Sequence, residues 1–225
     1  MALPDARPFD LVIFDCDGVL VDSEGIAQDL LRRTLLEQGL ELSADTVREQ
    51  FQGRSLSAVQ ATLRALHGVT LPAQAVDEMG QRLLARFSAG LRPVDGMAAL
   101  VDGLTARACV ASSSSRERLH HALAVTGLAD RFAGAIFSAD DVRRGKPAPD
   151  LFLHAARMCG TQPIACVVVE DSPAGLEGAR RAGMAAIGFT GGSHAGGADY
   201  ADTLVRAGAH AVAANAHELA ALLPR

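Results

Sequence analysis

Five short runs in this chain are, Asp10 apart, apolar on both alternations: Phe9–Phe14, Ala108–Ala111, Ala135–Phe137, Cys166–Val169 and Ala185–Phe189. A half-exposed strand would alternate apolar and polar residues. A run without that alternation is buried on both faces. Each run ends in polar or glycine residues, and helical stretches separate them, so the pattern predicts an α/β fold: a Rossmann-like parallel sheet core with helices on both faces. Boundary residues agree. Ser114 and Glu117 have capping-box spacing. Ser172-Pro173 fits an N-cap followed by proline at the first helical position, with Gly183 as the stop. Pro149 opens a helix carrying Leu151, Phe152, Ala155 and Met158.

The alternation is interrupted once. From Glu24 to Gly90 the apolar residues follow helical spacing: Ile26, Leu30, Leu31 and Leu35, then Leu56, Val59, Leu63 and Leu66, then Val76, Met79, Leu83 and Phe87. Gly39, Gly53, Gly68 and Gly90 punctuate them. This predicts an inserted four-helix cap domain, residues 23–90, within a discontinuous core of residues 1–22 and 91–225. Two linkers would let the insertion rock like a lid. Gly191–Ala198 is a glycine-rich loop expected to be mobile, with His194 at the surface.

Composition narrows the function. Hydrophobic residues make up 49% of 225 and charged residues 21%, a globular profile. The net charge of −5 comes without any basic block, which argues against nucleic acid or an anionic membrane as partner. No tryptophan is present, and Tyr200 is the single tyrosine, so platforms for stacking bases are scarce. No apolar run has membrane-spanning length, and Met1–Phe9 lacks the apolar stretch of a signal peptide. Cys16, Cys109, Cys159 and Cys166 form no C-x-x-C pair and read as reduced, mostly buried thiols. A cytoplasmic monomer acting on a small molecule is the expectation.

Ligands of an open parallel sheet bind beyond the carboxyl ends of its strands. Polar residues follow each run there: Asp15, Asp17 and Gly18 after the first; Ser112, Ser113 and Ser114 after the second; Lys146 in the loop past the third; Glu170, Asp171 and Ser172 after the fourth. Singly, an aspartate after a strand is a helix cap and a serine cluster is turn chemistry. Together, four carboxylates on one rim repel unless a cation sits among them, and oxygen-only donors suit a hard divalent ion. Lys146 is also the only lysine among 21 basic residues.

These residues resemble the motifs of the haloacid dehalogenase superfamily. Asp15-Cys16-Asp17-Gly18-Val19 matches the first motif, Ser112 the second, Lys146 in Gly145-Lys146-Pro147 the third and Glu170-Asp171-Ser172 the fourth, in order over nearly the whole chain. The resemblance implies that Asp15 attacks phosphorus to give an aspartyl phosphate and that Asp17 serves as acid and then base. It implies Mg²⁺ held by Asp15, the Asp17 backbone carbonyl, Asp171 and Glu170, the last directly or through water. Ser112 and the N–H groups near Cys16, Asp17 and Ser113 would hold the phosphoryl oxygens, and Lys146 would balance the charge.

Within the family, the helical insertion resembles the cap of β-phosphoglucomutase and the small sugar-phosphate phosphatases. The cap histidine and arginine of the mutase fall at Ala27 and Leu56, which favours hydrolysis over a phosphosugar mutase. A catalytically silent binding module is the reading from another class, and both motif-one aspartates speak against it. The segment Phe51-Gln52-Gly53-Arg54-Ser55 resembles the family's substrate-specificity loop. Gly53 permits a tight turn, and Arg54 either grips a carboxylate or is solvated on a cap helix. An Arg54 that reads substrate would point to a phosphorylated sugar acid such as 6-phosphogluconate, with a hexose or polyol phosphate next. Arg116 is expected to decorate a helix N-terminus, and Glu24 to lie in a solvated linker.

Overall fold

The structure, a computed structural model, describes residues 9–132, 134–195 and 198–223. Residues 1–8, 196–197 and 224–225, which carry parts of the expected core termini and glycine-rich loop, lie outside the described residues. Six parallel strands form one sheet: β1 (Leu11–Phe14), β2 (Arg107–Ser112), β3 (Ile136–Ser138), β4 (Cys166–Glu170), β5 (Ala185–Phe189) and β6 (Ala211–Ala213), in the order β3-β2-β1-β4-β5-β6. The Rossmann-like expectation is met. β6 is an addition that the three-residue Ala-Val-Ala run did not signal.

The pleat explains why the runs are apolar throughout. Val12, Phe14, Val110, Val167 and Val169 face one apolar cluster, with α5 (Met97–Asp102), α6 (Arg116–Val125) and α10 (Ala216–Leu222) supplying Met97, Leu119 and Leu219. Leu11, Ile13, Cys109, Ala111, Cys166 and Val168 face the other, against α7 (Asp150–Met158), α8 (Pro173–Arg181) and α9 (Ala198–Ala207). Successive residues of one strand thus serve opposite cores.

Five helices lie between β1 and β2: α1 (Glu24–Glu37), α2 (Ala44–Phe51), α3 (Leu56–His67) and α4 (Ala73–Gly90), followed by α5 of the core. Leu31, Leu35, Val47, Phe51, Val59, Leu63 and Leu71 make a cluster of their own. Leu30 of α1 and Leu83 and Phe87 of α4 instead join the core beside the sheet. Burying each such side chain stabilises by roughly 1.5–3 kcal/mol. An exposed pair such as Arg82–Glu37 contributes about 0–1 kcal/mol, so apolar packing holds these helices down. Leu56 and Leu66, periodic in sequence, are exposed.

Two caps are informative. Ser172 accepts from the Gly175 N–H at 3.1 Å with Pro173 next, as its sequence suggests. The Ser114–Glu117 capping box does not form: Ser115 caps α6 by accepting from the Arg118 N–H. Ser114 is turned instead toward the rim, where a carboxylate offers its hydroxyl a stronger acceptor than a backbone N–H offers a donor.

Candidate active site

Register brings the rim together. Phe14 pairs with Val169, so Asp15 and Glu170 leave adjacent strands side by side, and the Asp15 N–H continues the ladder to Val169 O at 2.9 Å. Lys146 comes from the loop after β3 and closes the pair: its Nζ donates to Asp15 Oδ1 at 2.7 Å and to Glu170 Oε1 at 2.6 Å. All three side chains are buried. Burial alone would lower the Lys146 pKa, but the two carboxylates more than reverse that, so the ammonium stays charged.

Glu170 is further fixed by Ser172, whose N–H and hydroxyl both donate to Oε2 at 2.8 and 2.9 Å. Asp171 comes next, with its Oδ1 buried and unpaired. One oxygen from each of Asp15, Glu170 and Asp171 lies within 4.8 Å of the others. Burial raises the Asp15 carboxyl; Lys146 opposes this, and the neighbouring Glu170, Asp171 and Asp17 add to it. Burial raises Glu170 likewise, against the pull of Lys146. Hard oxygens, an orphaned acceptor and unneutralised repulsion fit a divalent cation.

Asp17 has different surroundings. Ser23 Oγ donates to its Oδ1 at 2.5 Å, Ser114 Oγ to its Oδ2 at 2.6 Å, and Arg118 Nη2 to Oδ1 at 2.6 Å. Ser112, fully buried, reaches Oδ2 at 3.4 Å and accepts from the Ser114 N–H. Burial pushes the Asp17 carboxyl up, but Arg118 and the two hydroxyls hold it below the usual carboxylate range. Two aspartates two residues apart are thereby driven in opposite directions: with no cation present, Asp15 is held toward its protonated form and Asp17 toward its ionised form.

The loop after α2 docks on this rim. Ser113 Oγ donates to Gly53 O at 3.1 Å. Gly53 has φ +67°, and a Cβ there would lie 2.4 Å from Ser172 Cβ, so only glycine allows the approach. Gln52 Nε2 donates to Tyr200 Oη at 2.7 Å, which donates to Asp171 O at 2.7 Å. A cavity of about 130 Å³ lies between these helices and the rim, lined among others by Asp15, Asp17, Glu24, Ser113, Ser114 and Arg118. Arg54 also lines it, but its guanidinium is exposed and donates to Thr62 Oγ1 at 3.1 Å.

Two sequence expectations are corrected, and one site residue is new. His194 is not at the surface: its side chain is 2% exposed, with Nε2 2.8 Å from Asp171 Oδ2. The carboxylate draws the ring inward despite its glycine-rich loop. Glu24 is not solvated but buried against the cavity, where Gln28 Nε2 donates to it at 3.0 Å. Arg118 was not foreseen at all. Arg116, by contrast, does sit at the α6 N-terminus, paired with Asp141.

Burial, then the charges of Asp171 and Asp17, push the Glu24 pKa up to about 7. An unfolded glutamate titrates near ~4.3. The folded state therefore binds this proton more tightly, and stability is lost as pH rises through that window. Glu24→Gln is expected to stabilise the protein in EDTA by about 1–2 kcal/mol more at pH 8 than at pH 5, by urea unfolding. An equal change at both values would contradict a buried, raised Glu24.

The model of the haloacid dehalogenase-like hydrolases matches residues 9–183. The chain is 32% identical over 186 residues to the 6-phosphogluconate phosphatase of Escherichia coli, covering 82% of this chain and 84% of that one. Among solved structures, a conserved haloacid dehalogenase-like protein of Agrobacterium tumefaciens superposes with a TM-score of 0.81 at 41% identity, over 95% of this chain and 97% of that one. A HAD family hydrolase of Deinococcus radiodurans, solved with bound phosphate and sodium, gives 0.73 at 35% identity, over 97% and 99%. No helix among the described residues is long and apolar enough to cross a membrane. The match over most of the core and the phosphatase relatives agree with the rim of carboxylates around one buried lysine: the chain belongs to the haloacid dehalogenase-like hydrolases, as one of that family's phosphatases.

Proposed function

We propose that the protein is a Mg²⁺-dependent phosphatase of small phosphorylated metabolites, sugar phosphates or phosphorylated sugar acids such as 6-phosphogluconate, working through an aspartyl phosphate on Asp15. The observation that carries this reading is the buried cluster at the strand ends: Lys146 bonded to both Asp15 and Glu170, the unpaired Oδ1 of Asp171 beside them, and Asp17 two residues on from Asp15. Asp15, the Asp17 carbonyl, Asp171 and Glu170 would hold Mg²⁺, which when bound supplies positive charge against the phosphoryl oxygens.

The chain's own residues do the rest. Lys146 holds Asp15 Oδ1, leaving the other oxygen to attack phosphorus. Ser112, the Ser113 N–H and Lys146 orient the phosphoryl oxygens. Asp17 is the acid toward the leaving alcohol and then the base toward the water that hydrolyses the aspartyl phosphate; since Arg118, Ser114 and Ser23 hold it ionised in the free protein, it takes up the proton it gives as substrate binds. Residues 23–90 act as a cap over the core formed by 1–22 and 91–225, and their closure excludes bulk water. Ala27 and Leu56, at the positions of the mutase histidine and arginine, line the cavity as apolar side chains. They give a bound sugar phosphate nothing with which to reorient, and this supports release over transfer.

The 6-phosphogluconate phosphatase relative supports the substrate class. Phosphorus NMR of the protein with Mg²⁺ and a panel of sugar and sugar-acid phosphates tests it. Inorganic phosphate is expected as the product. Positional isomers of the starting ester without phosphate would replace this reading with the mutase.

A further inference from the structure

We propose that Arg118 binds a second anionic group, a carboxylate, on the organic part of the substrate, and so makes the site selective for phosphorylated polyhydroxy acids over neutral polyol phosphates. This deepens, and rests on, the phosphatase reading of the same site.

Among the described residues, the cavity wall carries the carboxylates of Asp15, Asp17 and Glu24 and only two cationic side chains, Arg54 and Arg118. Arg54 is exposed and occupied with Thr62. Arg118 is held from two sides: Nη2 donates to Asp17 Oδ1 at 2.6 Å, and its guanidinium carbon lies 5.5 Å from the centroid of the Phe87 ring. Its Nε is buried without an acceptor. A guanidinium has five N–H donors in a fixed fork that matches a carboxylate edge to edge. Arg118 is thus a pre-oriented cation with donors unspent.

Its position decides what those donors can read. Arg118 stands on the Asp17 side of the rim, where the leaving oxygen is protonated, and not beside Lys146. It therefore faces the alcohol portion of an ester and not the phosphoryl group. Asp17 also keeps its two serine donors, so one edge of the fork can turn to a ligand without leaving that carboxylate bare. A neutral hydroxyl placed there can still accept from the fork, but the bond from a guanidinium to a carboxylate is roughly twice as strong as one to a neutral oxygen, so the acid gains more.

The test is calorimetric binding in the Asp15→Asn protein with Mg²⁺, comparing 6-phosphogluconate with sorbitol 6-phosphate, its near-isosteric neutral counterpart. Asp15→Asn should prefer the acid. Adding Arg118→Met should weaken the acid by about 10- to 100-fold, as for a lost hydrogen bond to a charged group, and the neutral ester far less. Arg118→Lys, which keeps the charge and a sound fold, should recover part of the acid preference. Equal weakening of both ligands, as a mere prop for Asp17 would give, overturns the assignment, and so does the absence of any acid preference before Arg118 is changed. Phosphate release by the unsubstituted enzyme is followed in parallel. Acid preference lost on Arg118→Met but without any release would sink the hydrolase reading while upholding the role of Arg118.

Discussion

Lys146→Met should destabilise the protein by about 3–5 kcal/mol at neutral pH in EDTA, the usual cost of removing one partner from a buried ion pair. Among the described residues the ammonium is the one cation bonded to both Asp15 and Glu170, and its side chain is 1% exposed. Methionine fills a similar volume beside Phe152, whose ring centroid lies 5.0 Å from Nζ, so the loss is of charge and not of packing. The sign with pH follows from the raised carboxyls. Burial already holds Asp15 and Glu170 above their ordinary range, and removing the lysine raises them further. Groups raised in the folded state cost stability as pH rises through their unfolded value and above it. The deficit should therefore be largest at pH 7–8 and shrink toward pH 5, where the carboxyls take up protons. Urea unfolding at both values measures it. A deficit below about 1 kcal/mol at pH 8 would mean that the triad is not the electrostatic unit described.

Gly175→Ala should do comparable harm from a helix that bears no charge of the site. A Cβ at Gly175 would stand 1.7 Å from Glu170 Oε1 and 1.9 Å from its Cδ. Alanine favours a helix interior by up to about 1 kcal/mol over glycine. Evicting Glu170 from Lys146 and Ser172 costs several times that, so the net expectation is a loss of about 2–4 kcal/mol. Mg²⁺ affinity should fall by about 10-fold or more, because a displaced carboxylate no longer orders the metal's donors. Gly25→Ala in α1, where an added Cβ meets nothing within 4 Å, is the matched control and should be neutral or mildly stabilising. Unchanged stability and metal affinity in Gly175→Ala would show that Glu170 has room to move.

The parts of the fold written in one-dimensional pattern were legible, and those set by tertiary contact were not. β1, β2, β4 and β5 announce themselves because burial on both faces removes every polar residue from four or five positions. β6 has three residues, too few for any pattern, and depends on pairing with β5. The second helix of the insertion offers only Val47 and Phe51 among polar neighbours, so periodicity did not single it out. The site divides the same way. Asp15, Asp17, Ser112, Glu170 and Asp171 are strand-end residues, and a parallel sheet must align strand ends. Arg118 lies within the helix that follows the serines, and nothing in its surroundings shows that it turns back to Asp17. His194 and Glu24 were read from their neighbours in sequence, a glycine-rich loop and a linker. Their burial comes from Asp171 and from the helices packed over the rim.

The most direct test of Asp15 as a metal-assisted nucleophile is phosphate release from 6-phosphogluconate and a panel of sugar phosphates, with Mg²⁺ or with EDTA, by the unsubstituted protein and by Asp15→Asn. Release that needs Mg²⁺ and vanishes in Asp15→Asn is the predicted result. Release that persists in EDTA, or in Asp15→Asn at an undiminished rate, would contradict the account.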